Sequence, residues 1–144
     1  MIYIASDHGG FNLKHQIVKY LESKKIDVTD MGPYEYKEDD DYPDYVIPLA
    51  KEVQKDIKNR GIVICRNGVG VSIATNKIKN IRTVLSWNPK QAESSKLDDD
   101  TNILALPADY IDQTTAIAIV DMWLNTEFSA FPRHIRRIKK IENI

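Results

Sequence analysis

Residues 61–77 read GIVICRNGVGVSIATNK, and this stretch predicts a strand, a loop with two glycines and a helix in direct succession. The run GIVIC (61–65) is apolar without alternation, which is typical of a strand covered on both faces of a parallel sheet. VSIATNKI (71–78) has the pattern of the helix that follows such a strand. The stretch therefore indicates an α/β fold in which the single cysteine, Cys65, ends a buried strand just before a loop.

The same alternation recurs along the rest of the chain. Further strands are predicted at 2–6, 26–32, 82–87 and 101–107. Helical segments are predicted at 11–25, 42–57, 88–97, 113–128 and 132–144. Within the second of these helices, Pro43 suits a first helical turn, whereas Pro48 favours a later start. Five strands separated by helices predict a doubly wound, mostly parallel sheet and one domain over residues 1–144.

The composition excludes several classes of protein. With 20 Lys and Arg against 21 Asp and Glu, the net charge of −1 gives no overall attraction to nucleic acid. No apolar run approaches the roughly 20 residues that a membrane span needs, and the N-terminus lacks the pattern of a signal peptide. One cysteine excludes an internal disulfide framework, and with three histidines it offers little for zinc. We therefore expect a cytoplasmic protein without a structural zinc site.

Two loops carry side chains capable of chemistry. SDHGG (6–10) follows the first strand, and CRNGVGVS (65–72) follows the third. Ligands of such sheets bind beyond the carboxyl ends of the strands, so Asp7, His8 and Cys65 are predicted to share one rim. Backbone N–H groups and the helix N-terminus in the second loop could hold an anion and raise the thiolate fraction of Cys65.

Each of these features also has a purely structural interpretation. Cys65 fits an inert core residue, and the glycines fit a tight turn, because neither a dinucleotide fingerprint nor a P-loop is present. Asp7 fits a helix cap with His8 as its partner. A nucleotide-binding domain would need an acidic ribose ligand after the second strand, and Asp30 is poorly placed for it.

Charged segments elsewhere leave similar alternatives. Arg133 and Arg137 lie four apart on the last helix, a spacing that suits a phosphate clamp but also an ordinary solvated basic end. The acidic run KEDDDYPD (37–44) is interpreted as a solvated loop. LDDDTN (97–102) fits a helix-terminating loop with no role beyond solubility.

Taken together, five segments closely resemble the ribose-5-phosphate isomerase B and galactose-6-phosphate isomerase subunit family. They are SDHGG (6–10), DYPDY (41–45), ICRNGVGVSIATNK (64–77), TNILAL (101–106) and RHIRR (133–137). The resemblance runs from Met1 to about Ile141. It implies a Rossmann-like three-layer α/β/α sandwich with a five-stranded parallel sheet. It also implies a homodimer or homotetramer with the active site at the dimer interface, and no metal or other cofactor.

The activity implied by the resemblance is interconversion of ribose 5-phosphate and ribulose 5-phosphate through a cis-enediolate, a reaction of the pentose phosphate pathway. A hexose 6-phosphate or another aldose phosphate is an alternative substrate. A sugar-phosphate-binding protein without turnover is an alternative of a different class. Trp87, Trp123 and Phe131 are candidates for subunit contacts, with burial in the core as the default for each.

The resemblance also implies roles for individual residues. Cys65 would be the base that moves a proton between C2 and C1. The pocket for the developing oxyanion would be lined by Asn67, Gly68, Gly70 and Ser72. The phosphate would be held by His8, Arg133 and Arg137, and sugar hydroxyls would be contacted by Asp7 and Tyr42.

The chain departs from the family pattern at three places. Arg66 stands where Gly is usual, and Asn67 stands where Thr or Ser is usual, although its amide can still donate a hydrogen bond. Asp98 and Asp99 replace a His-Asn pair whose His opens the sugar ring. A carboxylate can act as an acid at neutral pH when like-charged neighbours keep it protonated, and the run 98–100 supplies them. We predict that Asp98 or Asp99 opens the ring, with His8 or solvent as the alternatives.

Overall fold

The computed structural model describes all residues 1–144, and its centre is one sheet of five parallel strands. In chain order the strands are β1 (Ile2–Ser6), β2 (Val28–Asp30), β3 (Arg60–Cys65), β4 (Thr83–Leu85) and β5 (Ile103–Pro107). In space their order is β2-β1-β3-β5-β4, with every neighbouring pair parallel. The α/β class and the five-stranded parallel sheet predicted from the sequence are confirmed.

Six α-helices connect and cover the strands. They are α1 (Phe11–Ser23), α2 (Pro43–Gln54), α3 (Val69–Asn76), α4 (Pro89–Asp99), α5 (Gln113–Leu124) and α6 (Pro132–Glu142). A short 3-10 helix, His8–Gly10, joins β1 to α1. No helix is long and apolar enough to cross a membrane.

Strand β3 shows why its sequence is apolar without alternation. Ile62 and Ile64 pack into one core cluster with α1, α4 and α5, whereas Val63 and Cys65 pack into a second cluster with α2 and α3. Successive side chains of a strand point to opposite faces, and here each face lies under helices. The three layers are therefore helix, sheet and helix, and Cys65 lies on the α2–α3 side.

Helix α2 begins at Pro43 and continues through Pro48, so the later start favoured by Pro48 is wrong. Proline removes the hydrogen bond that residue 48 would donate to the carbonyl of Asp44. Both Pro48 and Asp44 are exposed, so that carbonyl can bond to water instead. Val46, Leu49, Ala50 and Val53 are fully or almost fully buried, and their packing stabilises the helix.

Helix α6 lies outside the sandwich against α4, and His134 is its only buried residue. Trp123 of α5, in contrast, is fully buried and donates a 2.9 Å hydrogen bond from Nε1 to Thr101 Oγ1. Trp123 is therefore a core residue, which agrees with the default expectation of burial in the core. Trp87 and Phe131 are exposed on the single chain.

Candidate active site

The carboxyl ends of β1 and β3 bring the predicted rim together. The two strands are paired in register from Ile2–Arg60 to Ser6–Ile64. One residue further on, the backbone N–H of Asp7 donates to the carbonyl of Ile64 at 3.3 Å. Asp7 and His8 therefore lie beside Cys65, which ends β3.

Two glycines shape the loop that follows Cys65. Gly68 has φ +70° and caps the start of α3, a left-handed conformation that strains other residues. A Cβ on Gly68 would also lie 2.4 Å from Cδ1 of Leu85. A Cβ on Gly70 would lie 2.5 Å from the Tyr42 hydroxyl oxygen, so the missing side chain lets Tyr42 pack over the first turn of α3. Tyr42 and the loop are thereby held together.

Cys65 forms the floor of this rim, with 4% of its surface exposed. Its Sγ lies 3.7 Å from Oδ1 of Asn67, which also accepts the backbone N–H of Val69 at 3.0 Å. The Asn67 side chain thus bonds to the first turn of α3 and also contacts the Cys65 thiol. The backbone N–H of Ser72 donates to the carbonyl of Gly68 at 3.3 Å, so Ser72 belongs to the same turn.

Asp7 is both a cap and a buried acid. Its Oδ1 accepts the backbone N–H of Gly10 at 3.1 Å, so the helix-cap interpretation holds for the 3-10 helix. Burial raises the pKa of the Asp7 carboxyl above its ordinary value, and the hydrogen bond from Gly10 opposes that rise. A carboxyl of raised pKa beside a buried thiol is a feature of functional clefts.

Asp40 also belongs to the site, although no sequence pattern pointed to it. Its Oδ1 lies 2.8 Å from the backbone nitrogen of His8 and 2.8 Å from the ring Nδ1 of the same residue. The interpretation of 37–44 as a solvated loop is wrong at this position, since the Asp40 side chain is only 4% exposed. Periodicity describes helices and strands, and it cannot identify one loop residue that folds back over 32 positions.

Arg66, the first departure from the family pattern, lies on the same rim. Its guanidinium Nη1 is 3.6 Å from Oδ2 of Asp109 in the loop after β5. A Cβ on Gly9 would lie 2.4 Å from Cγ of Arg66, so the arginine stem crosses the 3-10 helix at that glycine. Arg66 therefore adds a positive charge beside His8.

The remaining predicted residues lie at the opposite, amino-terminal edge of the sheet. The carbonyl of Asp99 accepts from Arg82, which directly precedes β4. Cys65 ends the six-residue β3 at the other edge, and a strand of that length separates its ends by roughly 17 Å. A single chain therefore does not bring Asp98 or Asp99 to Cys65.

The arginines of α6 are on the side of Asp98 as well. Asp98 Oδ1 lies 3.7 Å from Nε2 of His134, whose Nδ1 is 3.0 Å from Ser129 Oγ. Arg133 stacks on the ring of Phe131 at 4.9 Å and is exposed, as is Arg137. The candidate residues thus form two groups, a carboxyl-edge group around Cys65 and an amino-edge group formed by Asp98, Asp99, Arg133 and Arg137.

Cavities of the single chain do not enclose the carboxyl-edge group. The largest, about 520 Å³, lies beside the edge strand β4 and is lined by Arg82, Gln91, Asp99 and Ile141 among others. None of the larger cavities is lined by Cys65 or His8. No three or more His, Cys, Asp or Glu side chains converge to form a metal site.

Comparison with known proteins identifies the family of the chain. The family model described as Ribose/Galactose Isomerase matches residues 2–141. The chain is 43% identical over 140 residues to a probable ribose-5-phosphate isomerase B of Mycoplasma pneumoniae, covering 97% of this chain and 91% of the relative. It is 38% identical over 143 residues to ribose-5-phosphate isomerase B of Escherichia coli, covering 99% and 95%.

Solved structures agree in the same way. The crystal structure of ribose-5-phosphate isomerase B from Mycoplasma genitalium with bound ribulose-5-phosphate has a TM-score of 0.95 and 39% identity. The match covers 99% of this chain and 93% of that one. The fold, the rim and these relatives define an enzyme of the aldose–ketose isomerase class that acts on a sugar phosphate. The chain belongs to the ribose/galactose isomerase family, as the resemblance of its motifs indicated.

Proposed function

We propose that the chain interconverts ribose 5-phosphate and ribulose 5-phosphate, a step of the pentose phosphate pathway, with Cys65 as the base. The observation that carries the proposal is the position of Cys65 at the carboxyl end of β3, under the first turn of α3 and beside Asp7 and His8. Support for the substrate comes from relatives named ribose-5-phosphate isomerase B and from the similar structure that holds ribulose-5-phosphate. The single cysteine suits the reducing cytoplasm.

In the proposed reaction, the thiolate of Cys65 takes the proton from C2 of the open-chain aldose and returns it to C1 of the enediolate, while the hydroxyl proton on O2 moves to O1. A base of this kind contributes roughly 10²–10⁴-fold to the rate. The negative charge that develops on oxygen would meet the donors of the loop 67–72. These are the Asn67 amide, the backbone N–H groups of Gly68 and Gly70, and Ser72. They lie at the N-terminus of α3, where the helix dipole also favours negative charge.

The amino-edge group enters this proposal through a second copy of the chain. In a homodimer, or a homotetramer built from it, Arg133 and Arg137 of one copy would hold the phosphate bound at the carboxyl edge of the other. The roughly 17 Å between the two edges in one chain supports this arrangement, because one substrate cannot reach both. Exposed apolar side chains border each group, Val69 and Ile73 on α3 and Phe131 next to α6.

The same arrangement would carry Asp98 and Asp99 to the substrate for ring opening. Asp98 is the stronger of the two candidates, because its carboxylate lies 3.7 Å from the ring Nε2 of the buried His134. Asp99 is exposed and its side chain has no such partner.

Replacement of Cys65 tests the proposed function. Cys65→Ala and Cys65→Ser are compared with the unaltered chain on ribose 5-phosphate, on a hexose 6-phosphate and on other aldose phosphates. We expect kcat on ribose 5-phosphate to fall at least about 100-fold while the affinity for the sugar phosphate stays within a few-fold. Full turnover by Cys65→Ala would exclude the cysteine as the base.

The substrate panel decides the remaining alternatives. Faster turnover of a hexose 6-phosphate by the unaltered chain would move the proposal to that substrate. A binding protein without turnover is kept as the second candidate, because this chain lacks the usual ring-opening His at position 98. Tight binding of sugar phosphates with no turnover of any of them would establish it.

A further inference from the structure

The contact between Asp40 and His8 is the strongest feature of the rim that the proposed reaction does not use. A single carboxylate oxygen, Oδ1, lies 2.8 Å from both the backbone nitrogen and the ring Nδ1 of His8. The two residues are 32 positions apart, so the loop before α2 must fold over the 3-10 helix to make this contact. The opposite ring nitrogen, Nε2, makes no hydrogen bond within the chain, and about a fifth of the His8 side chain (20%) is exposed.

The surroundings of Asp40 make this contact costly in free energy, because they remove the carboxylate from water. The carboxylate is 4% exposed, and its second oxygen, Oδ2, is buried without a hydrogen-bond partner. Removing a carboxylate from water costs free energy unless hydrogen bonds compensate it. Burial, then the charge of Asp40 and a long contact of the hydroxyl with that carboxylate, raise the pKa of Tyr45, which places the hydroxyl close to Asp40. A carboxylate kept only for solubility would instead lie exposed, as Asp39 and Asp41 do.

We propose that Asp40 is a positioning residue for His8. A carboxylate only accepts hydrogen bonds, so the bond to Nδ1 keeps a proton on that nitrogen and fixes the tautomer and plane of the ring. Nε2 is then the nitrogen presented to the ligand. In the doubly protonated ring, Nε2–H is a charge-assisted donor to a phosphoryl oxygen while Asp40 accepts from Nδ1–H. The identity of that ligand as a sugar phosphate rests on the proposed function.

The positive charge of Arg66 fits the same purpose. Its stem passes over Gly9, the residue after His8, and its guanidinium is only loosely paired to Asp109 at 3.6 Å. An anion at Nε2 of His8 would therefore lie near two side chains that can carry positive charge, His8 and Arg66. Asp40 acts on the first of them, because it is the only side chain bonded to the His8 ring.

Three variants separate the charge of Asp40 from its geometry. Asp40→Asn keeps an oxygen acceptor of the same shape without the charge, Asp40→Ala removes both, and Asp39→Asn is the matched control in the same acidic run. The affinity for inorganic phosphate and for ribose 5-phosphate is measured by titration calorimetry, KM and kcat by assay, and the His8 tautomer by ¹⁵N NMR.

In the unaltered chain we expect the His8 ¹⁵N shifts to report a proton on Nδ1. Asp40→Asn should weaken phosphate binding about tenfold and raise KM by a similar factor, with kcat changed less than about threefold. Asp40→Ala should do the same and also shift the tautomer toward Nε2–H. The control should match the unaltered chain in every measurement.

Two results would overturn the inference. One is phosphate affinity and His8 shifts in Asp40→Asn equal to those of Asp39→Asn. The other is an unaltered chain whose His8 carries its proton on Nε2 alone. If Asp40→Ala does not fold, the isosteric Asp40→Asn decides the outcome. If the unaltered chain does not turn over ribose 5-phosphate, the proposed function fails, and the phosphate titrations and NMR still decide the role of Asp40.

Discussion

The two edges of the sheet carry different kinds of chemistry-bearing residues. At the carboxyl edge, the side chains of Asp7, Asp40 and Cys65 are nearly buried, and each contacts another residue of the rim. At the amino edge, Asp98, Asp99, Arg133 and Arg137 are all exposed, and only Asp98 contacts a buried side chain. The first group is preorganised by strand pairing within one chain, whereas the second lies on a helix end and a helix surface.

This difference shows which of the two groups is held in place by the packing of the folded chain. Parallel pairing of β1 with β3 fixes Asp7 beside Cys65, and any error in register would expose core residues of both strands. Helix α6 has no comparable constraint, since side-chain contacts hold it: His134 bonds to Ser129 and to the carbonyl of Leu97, and Glu142 pairs with Arg82. Under the proposed function, a symmetric pair of chains would join the fixed group of one copy to the exposed group of the other.

Mixing two inactive variants is the most direct test of whether the two edges of the sheet, each from a different copy, form one site. Cys65→Ala and the double variant Arg133→Ala/Arg137→Ala should each lose at least about 99% of kcat/KM when pure, because each removes one half of every site. Unfolded and refolded together, they should recover about a quarter of the unaltered activity. Half of the random dimers are mixed, and one of the two sites in a mixed dimer has both halves intact.

The control for this experiment is refolding of each variant alone. A mixture that stays as inactive as its components would show that both halves of a site come from the same chain. Sedimentation of the unaltered enzyme as an active monomer would do the same.

Substitution of Gly68 sharpens the claim that the carboxyl edge is preorganised. Gly68→Ala should lower the free energy of unfolding by about 2–3 kcal/mol, because φ is +70° and the new Cβ would meet Leu85 and the backbone of Leu106. Urea unfolding followed by circular dichroism measures the loss.

Gly9→Ala is the matched control on the same rim. Its Cβ would meet the Arg66 stem, whose side chain is mostly exposed and can move aside, so the loss should be clearly smaller. Equal losses would mean that the loop after β3 is no more constrained than the surface.

The rate of sugar ring opening tests the role of the two aspartates at the amino edge. Asp98→Asn should slow turnover of cyclic ribose 5-phosphate about tenfold, with a smaller effect on the open-chain form, because only the cyclic form needs the extra proton transfer. Asp99→Asn, one residue away, is the control and should change both rates less. Equal slowing of both substrate forms by both variants would remove these carboxylates from ring opening.

The smallest effect concerns the pH dependence of stability. The folded pKa of Asp7 is raised by burial, so between the unfolded value of about 3.9 and that raised value the folded chain binds the proton more tightly. This contribution of Asp7 to stability is therefore lost as pH rises through that window. Asp7→Asn keeps the acceptor for Gly10 and removes the loss, so its stability relative to the unaltered chain should increase from pH 3.5 to pH 7. An unchanged difference would contradict a raised pKa at Asp7.

Much of the fold could be predicted from local patterns. The apolar runs placed all five strands, with errors of a few residues at ends such as 26–32, where β2 is only Val28–Asp30. The error at Pro48 arose because tertiary packing of α2 outweighs one lost backbone bond. The carboxyl-edge group was predictable as well, because the ends of adjacent parallel strands must meet.

The sequence by itself determined the α/β class, the strand ends that carry Asp7, His8 and Cys65, and the family motifs, since each depends on the order and spacing of neighbouring residues. Only the tertiary structure decided that Asp40 is buried against His8 and that Asp98 and Arg133 lie at the far edge of the sheet. The reason is physical: strand and helix periods are local properties of the chain. A contact across 32 residues, or a separation of the length of β3, exists only after the layers have packed.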